Sequence, residues 1–305
     1  MKGDPTAQTR QTATAALEHA LGDAARAWLP APVAGFALFV LKQLWAALFG
    51  LLILAGLILT DAIWQDGWSL ARYDALVIYA VTLQVLFLAF RLETWAEARV
   101  ILLFHLTGTV MEWFKVSAGS WAYPEASLLK VFGVPLFTGF MYASVGSYIA
   151  RVVRIFGLVF APYPPLWLTF ALAGAIYVNF FSHHFLPDIR LALFAATILI
   201  YGRTRIWTVQ TARPRWVPLP LAALFGAFAL WVAENVGTGT GTWAYAGQGA
   251  LDWVSLSKLG SWYLLIYVSF VTVTLVSREA LLSAPFRPSL ATTPAGSPPS
   301  RSPAR

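Results

Sequence analysis

The sequence predicts an all-α fold, a polytopic membrane helix bundle of about eight transmembrane helices in two related halves. Of the 305 residues, 58% are hydrophobic and only 11% are charged, whereas roughly 25% of residues are charged in an ordinary soluble domain. Eight apolar runs follow one another along the chain. One motif also recurs at a fixed offset, which indicates an internal duplication.

The apolar runs are long enough to cross the roughly 30 Å of hydrocarbon in a bilayer. They lie at 39–60, 75–92, 98–115, 131–150, 165–183, 189–203, 217–235 and 259–277. The sixth run is short and bounded by arginine, so seven spans remain the alternative.

The segments outside these runs are polar. The start of the chain lacks the features of a signal peptide, and the end consists mainly of Pro, Ser, Ala, Thr and Arg, a composition that cannot form a core. We therefore predict a cytoplasmic lead-in over 1–38, a transmembrane domain over 39–278 and a disordered cytoplasmic tail over 285–305. The halves of the transmembrane domain are about 39–160 and 161–278.

The basic residues predict the orientation. With both termini and the loops after spans two, four and six in the cytoplasm, sixteen of the 21 Lys and Arg residues are cytoplasmic and five are not. This satisfies the positive-inside rule and predicts a multi-pass protein of the cell membrane. The basic residues form no stripe, so we predict no nucleic-acid partner. No sequence feature specifies a cofactor or an oligomeric state.

A glutamate followed by a small-residue loop and Trp-Ala-Tyr occurs twice. In each copy the tryptophan lies nine positions after the glutamate, and the second copy lies 122 residues after the first. An offset of four helices preserves direction, so we predict a parallel repeat about an axis along the membrane normal. The residues are Glu112, Trp121 and Tyr123 in the first copy and Glu234, Trp243 and Tyr245 in the second.

The two loops, SAGSWAY and GTGTGTWAY, are too rich in Gly, Ser and Thr to continue a helix. Glycine lets their backbone approach a ligand closely. The alternative is an interfacial loop whose aromatic side chains lie in the headgroup belt.

Three spans deliver polar residues to one membrane face. In the predicted topology the third, fifth and seventh spans all leave the membrane on the non-cytoplasmic side. Ionisable groups at membrane depth cost about 2.5–3.5 kcal/mol each and usually face a cavity, so we predict a site there. The exits carry Glu112 in the third span, Asn179, His183, His184 and Asp188 at the fifth, and Glu234 and Asn235 in the seventh.

His105, Thr109 and Glu112 share one face of the third span. Seven residues of helix change the azimuth by only about 20°, so His105 and Glu112 point the same way. Such a row can relay a proton or hold the polar part of a ligand. The alternative is a polar stripe joining helices, where hydrogen bonds contribute about 0.6–2 kcal/mol.

The histidine pair at the fifth exit has three interpretations. Asn179 and His183 are four residues apart, as are His184 and Asp188, so each pair shares a helix face. Adjacent histidines point about 100° apart, and no HExxH-like spacing is present. Hydrogen bonding at the interface, an acid–base role, and a metal site completed by His105 or a glutamate stay open, and we assign no metal.

Four stretches carry a family resemblance: HLTGTVMEWFKVSAGSWAYPE, SHHFLPDIR, AENVGTGTGTWAY and SLSKLGSWYLL. Together, over roughly 40–278, they resemble the bacterial membrane-protein family catalogued as domain of unknown function 817, a resemblance that implies no activity. The single loop ENVGTGTGTWAY is similar to the Glu, Thr-Gly and Tyr pattern of membrane carotenoid hydratases of the bisanhydrobacterioruberin type, without their Pro-Phe-Gly insert. That similarity implies only Glu234 as an acid.

The predicted function is an acid–base enzyme acting on a lipid, isoprenoid or carotenoid-like substrate at the non-cytoplasmic leaflet. Carboxylates in a low-dielectric site can protonate an alkene or activate water. The predicted catalytic residues are Glu112, Glu234, His105 and His183. The predicted substrate-binding residues are Thr109, Asn179, His184, Asp188, Trp121, Tyr123, Asn235, Trp243 and Tyr245. The alternatives are a small-solute or ion transporter and a membrane structural or assembly protein, with the lipid bilayer as a partner in each case.

Overall fold

The computed structural model describes residues 30–65, 67–208, 215–245, 247, 249 and 252–286. The predicted lead-in up to residue 29 and the predicted tail from residue 287 lie outside the described residues. Within the described part, most of the chain is helical. The helices are α1 Ala31–Ala46, α2 Leu48–Ile63, α3 Arg72–Ala89, α4 Trp95–Ser117, α5 Thr138–Phe156, α6 Leu166–Ser182, α7 Arg190–Tyr201, α8 Leu219–Gly239 and α9 Leu256–Val273.

Short strands join the helix ends into three small sheets. They are β1 Trp121–Ala122, β2 Lys130–Val131, β3 Val134–Pro135, β4 Leu158–Ala161, β5 Arg205–Thr208, β6 Arg215–Pro218 and β7 Ala244–Tyr245. β1 pairs with β7, β2 pairs with β3, and β4, β5 and β6 form an antiparallel sheet in that order. The fold is therefore mostly helical, as predicted, but strands of two to four residues are too short to give a periodic sequence signal.

Among the described residues, four helices are long and apolar enough to cross a membrane, namely α3, α4, α8 and α9. The pair α1 and α2, bent by 70° at Ala47, adds a fifth if it is one broken span. α6 and α7 are apolar but shorter, with 17 and 12 residues. The structure thus supports four or five candidate spans where apolar runs alone predicted eight.

The fourth predicted span is only partly helical in the structure. Its first residues form the β2–β3 hairpin, with Gly133 at φ 80° in the turn, and the helix begins only at Thr138. The end of α5 then includes Arg151 and Arg154, of which Arg154 is ion-paired to Glu97. Apolar composition does not distinguish a hairpin residue from a helical one.

α4 presents opposite faces to two environments. Its exposed stripe of Leu102, Leu106 and Val110 repeats every four residues, which suits a lipid-facing helix surface. The other face packs closely on α5, because a Cβ atom at Gly108 would lie only 2.6 Å from the Tyr142 side chain. Small residues permit this close approach, and it places the end of α4 against α5 at the site described next.

Candidate functional site

Glu112 lies near the end of α4 and is only 2% exposed. Its Oε2 accepts hydrogen bonds from Trp121 Nε1 at 2.7 Å and from the Tyr123 hydroxyl at 2.8 Å. Its Oε1 accepts from the Tyr142 hydroxyl of α5 at 2.6 Å. The loop after α4 therefore turns back over the helix end, which explains the tryptophan nine and the tyrosine eleven positions after the glutamate.

Glu234 occupies the corresponding place on α8 and is 6% exposed. It accepts hydrogen bonds from the Tyr245 hydroxyl in β7 and from Trp262 Nε1 of α9, the latter at 2.5 Å. The Trp243 ring packs instead on Gly237, where a Cβ atom would lie 1.7 Å from it. The tyrosine of each motif thus contacts its own glutamate in both copies, whereas the tryptophan does so only in the first.

The two glutamates belong to one cluster, because the side chains that hold them touch. Trp121 and Tyr245 are opposite each other in the β1–β7 pair, and their rings meet edge to face at 5.8 Å. The Tyr142 and Trp262 rings lie 6.4 Å apart. A donor to Glu112 therefore contacts a donor to Glu234 in two places. We call these six residues the glutamate–aromatic cluster: Glu112, Trp121, Tyr142, Glu234, Tyr245 and Trp262.

The loop tyrosines remain hydrogen-bond donors at neutral pH. Burial, followed by the charge of Glu112 and the hydrogen bond to it, raises the pKa of Tyr123 well above its usual value. Burial and Glu234 raise the pKa of Tyr245 in the same way. Neither hydroxyl ionises near neutral pH, so each keeps a proton to donate to, or exchange with, its carboxyl group.

A narrow cleft adjoins the glutamate–aromatic cluster. Its volume is about 50 Å³, and its walls come from α4, α5, α6, α8 and α9. Tyr142 and Trp262 line it, together with mainly apolar residues such as Met111 and Leu265. Small-molecule pockets usually enclose about 300–1,000 Å³, so this cleft takes only a segment of a larger apolar ligand.

The residues at the α6–α7 turn mostly hold that turn together. Asn179 Nδ2 donates to Asp188 Oδ1 at 3.0 Å, and Arg190 pairs with Asp188 at 2.5 Å. Burial raises the pKa of Asp188, but the hydrogen bonds from Asn179 and Arg190 outweigh it and lower that pKa. His183 Nδ1 lies 3.0 Å from the Asn179 carbonyl oxygen, and its ring lies 4.2 Å from the His184 ring at a tilt of 32°.

His184 is exposed and reaches α4. Its Nε2 lies 2.9 Å from Lys115 Nζ and 3.4 Å from Ser120 Oγ. The histidine pair is therefore attached to the helix end that carries Glu112. Within the described residues, no three His, Asp or Glu side chains are grouped to hold a metal ion.

His105 and Thr109 do not join the cluster through hydrogen bonds. The His105 ring packs against Phe140 at 4.6 Å, and its Nδ1 is buried without a hydrogen-bond partner. The Thr109 hydroxyl donates to the His105 carbonyl oxygen at 2.7 Å. Shared azimuth alone does not connect them to Glu112, because α5 packs against the His105 ring.

Asn235 connects α8 to the segment before α9. Its side-chain oxygen accepts from the backbone N–H of Val254 at 2.9 Å, and its Nδ2 donates to the Trp231 carbonyl oxygen at 2.7 Å. Asn235 thereby fastens α8 to the segment that leads into α9, the helix of Trp262.

The sequence analysis missed several residues that contact the glutamates or the second loop, because their partners are distant in sequence. Tyr142 lies 30 residues after Glu112, with no local motif around it. Trp262 lies in the stretch SLSKLGSWYLL, whose only signal was the family resemblance. Arg72 Nη2 donates to Thr242 Oγ1 at 3.2 Å, and the Tyr73 hydroxyl donates to the Thr242 carbonyl oxygen at 2.8 Å. The start of α3 thus fixes the second loop.

The fold and the buried cluster define a mostly helical protein with four or five candidate membrane spans. The chain belongs to the family described as "Protein of unknown function (DUF817)", whose model matches residues 35–270. It is also 42% identical over 234 residues to "Uncharacterized protein YoaT" of Bacillus subtilis (strain 168), a match that covers 76% of this chain and 88% of that protein. No solved structure matches the chain.

Proposed function

We propose that this protein is a cell-membrane enzyme that performs acid–base chemistry on a lipid, isoprenoid or carotenoid-like substrate at the non-cytoplasmic leaflet. One observation carries the proposal. Tyr142 and Trp262 line the apolar cleft and also donate hydrogen bonds to Glu112 and Glu234. An alkene segment in the cleft would lie against side chains that are bonded directly to two carboxyl groups.

The chemistry we propose is addition of water across a carbon–carbon double bond. The Tyr142 hydroxyl gives its proton to one alkene carbon and takes the proton of Glu112 in return. The faces of Tyr142 and Trp262 stabilise the resulting carbocation, an interaction worth about 0.5–2 kcal/mol. Water then bonds to the cation, and its proton passes to the Glu234 carboxylate. Return of that proton to Glu112 restores both groups for the next turnover. No oxidant is required, and the reverse sequence is a dehydration.

The same proposal includes the finer membrane organisation. Eight spans would form two parallel halves of about 39–160 and 161–278, with both termini in the cytoplasm. The repeated glutamate-to-tyrosine contact and the β1–β7 pairing support the duplication. The excess of Lys and Arg in the termini and in the loops after spans two, four and six supports the orientation.

The test is replacement of each glutamate by glutamine. In Glu112→Gln the amide oxygen can accept from Trp121 and Tyr123, while the amide nitrogen donates to the Tyr142 oxygen. Glu234→Gln can accept from Trp262 and donate to Tyr245. Both variants should therefore fold but lack the exchangeable carboxyl proton.

The readout is the lipid and carotenoid profile of cells that express each variant. We expect wild-type protein to change the profile of at least one host, and both glutamine variants to return it to the vector control. Glu279→Gln is the matched control, because that glutamate is exposed and lies beyond the C-terminal end of α9. Identical profiles for wild type and vector in carotenoid-producing and non-producing hosts would refute the enzyme and favour transport or assembly.

A further inference from the structure

Two lysines lie one helical turn outward from the cleft. Lys115 follows the cleft residue Met111 by four positions on α4, and Lys258 precedes the cleft residue Trp262 by four positions on α9. Residues four apart share a helix face and are separated by about 6 Å along the axis. Both ammonium groups therefore stand at the same end of the cleft, beside β1 and β7.

Among the described residues, neither lysine lies within 4.0 Å of a carboxylate oxygen. Lys115 is 3% exposed, and its Nζ lies 4.0 Å from the centre of the Phe180 ring. Lys258 Nζ lies 3.9 Å from the Tyr245 ring centre and 5.3 Å from that of Trp121. Among the described residues, the ion pairs within 4.0 Å all use arginine. Aromatic faces offset only about 0.5–2 kcal/mol of the cost of a desolvated cation, so both charges favour an anion.

His184 and the loop after α4 link the two lysines: His184 Nε2 contacts Lys115 Nζ, and Lys258 Nζ lies over the ring of Trp121, the residue after Ser120. The limited burial of His184, and after it electrostatic interaction with Lys115, His183 and Lys258, lower the pKa of its imidazole. The neutral ring accepts from Lys115 through Nε2, with Ser120 Oγ at 3.4 Å from the same atom. An anion at this point would meet two ammonium groups and a hydroxyl, and it would favour protonation of the imidazole to a further donor.

We propose that Lys115, Lys258, His184 and Ser120 bind the phosphate group of a lipid whose hydrocarbon chain enters the cleft. Phosphate has several strong acceptor oxygens pointing in different directions, which matches donors converging from α4, α9 and the α6–α7 turn. A lysine acts as a point charge and suits phosphate without a fixed plane. The inference rests on the proposed function for the position of the chain beside Tyr142, and it names the polar end of that substrate as a phosphate.

The test is equilibrium binding of three probes to the purified full chain in dodecyl maltoside, a detergent without phosphate. The probes are farnesyl phosphate, farnesol and inorganic phosphate. We expect farnesyl phosphate to bind at least about tenfold more tightly than farnesol, since a single hydrogen bond to a charged group contributes that much or more. We also expect it to bind more tightly than inorganic phosphate, which lacks the chain.

Variants locate the site. Lys115→Met and Lys258→Met should each weaken farnesyl phosphate binding about tenfold or more while leaving farnesol binding unchanged. Lys115→Arg and Lys258→Arg should retain most of the affinity, because the charge remains. Lys42→Met is the matched control, since Lys42 also lies over an aromatic ring, 5.8 Å from Phe156, but on α1.

Two results would overturn the inference without any variant. Equal affinity for farnesyl phosphate and farnesol would exclude a phosphate site, and equal affinity for farnesyl phosphate and inorganic phosphate would exclude a lipid chain in the cleft. Glu112→Gln separates this inference from the proposed function, because it should keep farnesyl phosphate binding. Binding that persists while no variant alters cell lipids would refute the enzyme and support the phosphate site.

Discussion

Replacing Glu112 by leucine removes the acceptor of three hydrogen bonds. Trp121 Nε1 and the Tyr123 hydroxyl belong to buried side chains, whereas Tyr142 is half-buried and lines the cleft, where water can replace the carboxylate. A buried donor left without a partner costs about 1–3 kcal/mol, so the two orphaned donors cost about 2–6 kcal/mol. For a chain of this size about 2 °C accompanies each kcal/mol, and we expect the Tm to fall by about 4–12 °C.

The effect of Tyr123→Phe on stability should have opposite signs in the wild-type protein and in Glu112→Leu. In the wild-type protein it deletes a hydrogen bond to the Glu112 carboxyl group, which is protonated in the proposed chemistry, and should destabilise by about 0.5–1.5 kcal/mol. In the Glu112→Leu background it deletes an orphaned hydroxyl and should stabilise by about 1–3 kcal/mol. A double-mutant cycle measures this coupling directly.

The assay is thermal unfolding in detergent, followed by tryptophan fluorescence and checked by size exclusion. Tyr177→Phe is the control, because the Tyr177 hydroxyl makes only a long, exposed contact of 3.4 Å with the Thr107 carbonyl oxygen. Tyr177→Phe should shift the Tm of both backgrounds by the same small amount. An equal loss of stability from Tyr123→Phe in both backgrounds would refute the hydrogen-bond argument for Glu112.

Three further predictions follow from other parts of the molecule. Gly237→Ala places a Cβ atom 1.7 Å from the Trp243 ring and should lower the Tm by several degrees. Gly239→Ala is the control, because no atom lies within 4 Å of its Cβ position, and it should leave the Tm unchanged. Equal Tm values for the two variants would contradict the packing of Trp243 on Gly237. Burial raises the pKa of Glu93 despite its hydrogen bonds with Ser147 and Gln84, so the folded chain keeps a proton that the unfolded chain loses. The stability of the wild-type protein should therefore fall relative to that of Glu93→Gln as pH rises from about 4.5 through the raised pKa. Thermal scans measure the difference in Tm between the two proteins, and a difference that stays constant with pH would contradict the prediction. Alkaline phosphatase fused after β7 should be active and fused between β5 and β6 inactive, and the opposite pattern would reverse the proposed orientation.

Composition and local spacing determined the helical class and four of the six residues of the glutamate–aromatic cluster. The excess of apolar residues predicted a helical chain with membrane spans, and the structure has four or five helices that qualify among its described residues. The spacing of eleven from Glu112 to Tyr123 and from Glu234 to Tyr245 corresponds to direct hydrogen bonds in both copies. These features are local, because a loop leaving a helix can fold back only onto the end of that helix.

Tertiary structure decided which residues face each other. His105 shares its helix face with Glu112, yet α5 packs against the imidazole, and no hydrogen bond joins the two side chains. Tyr142 and Trp262 reach the glutamates only because α5 and α9 pack beside α4 and α8. Hydrophobic patterning specifies that a helix is buried but not which neighbour covers it, and close packing through small residues such as Gly108 makes that choice.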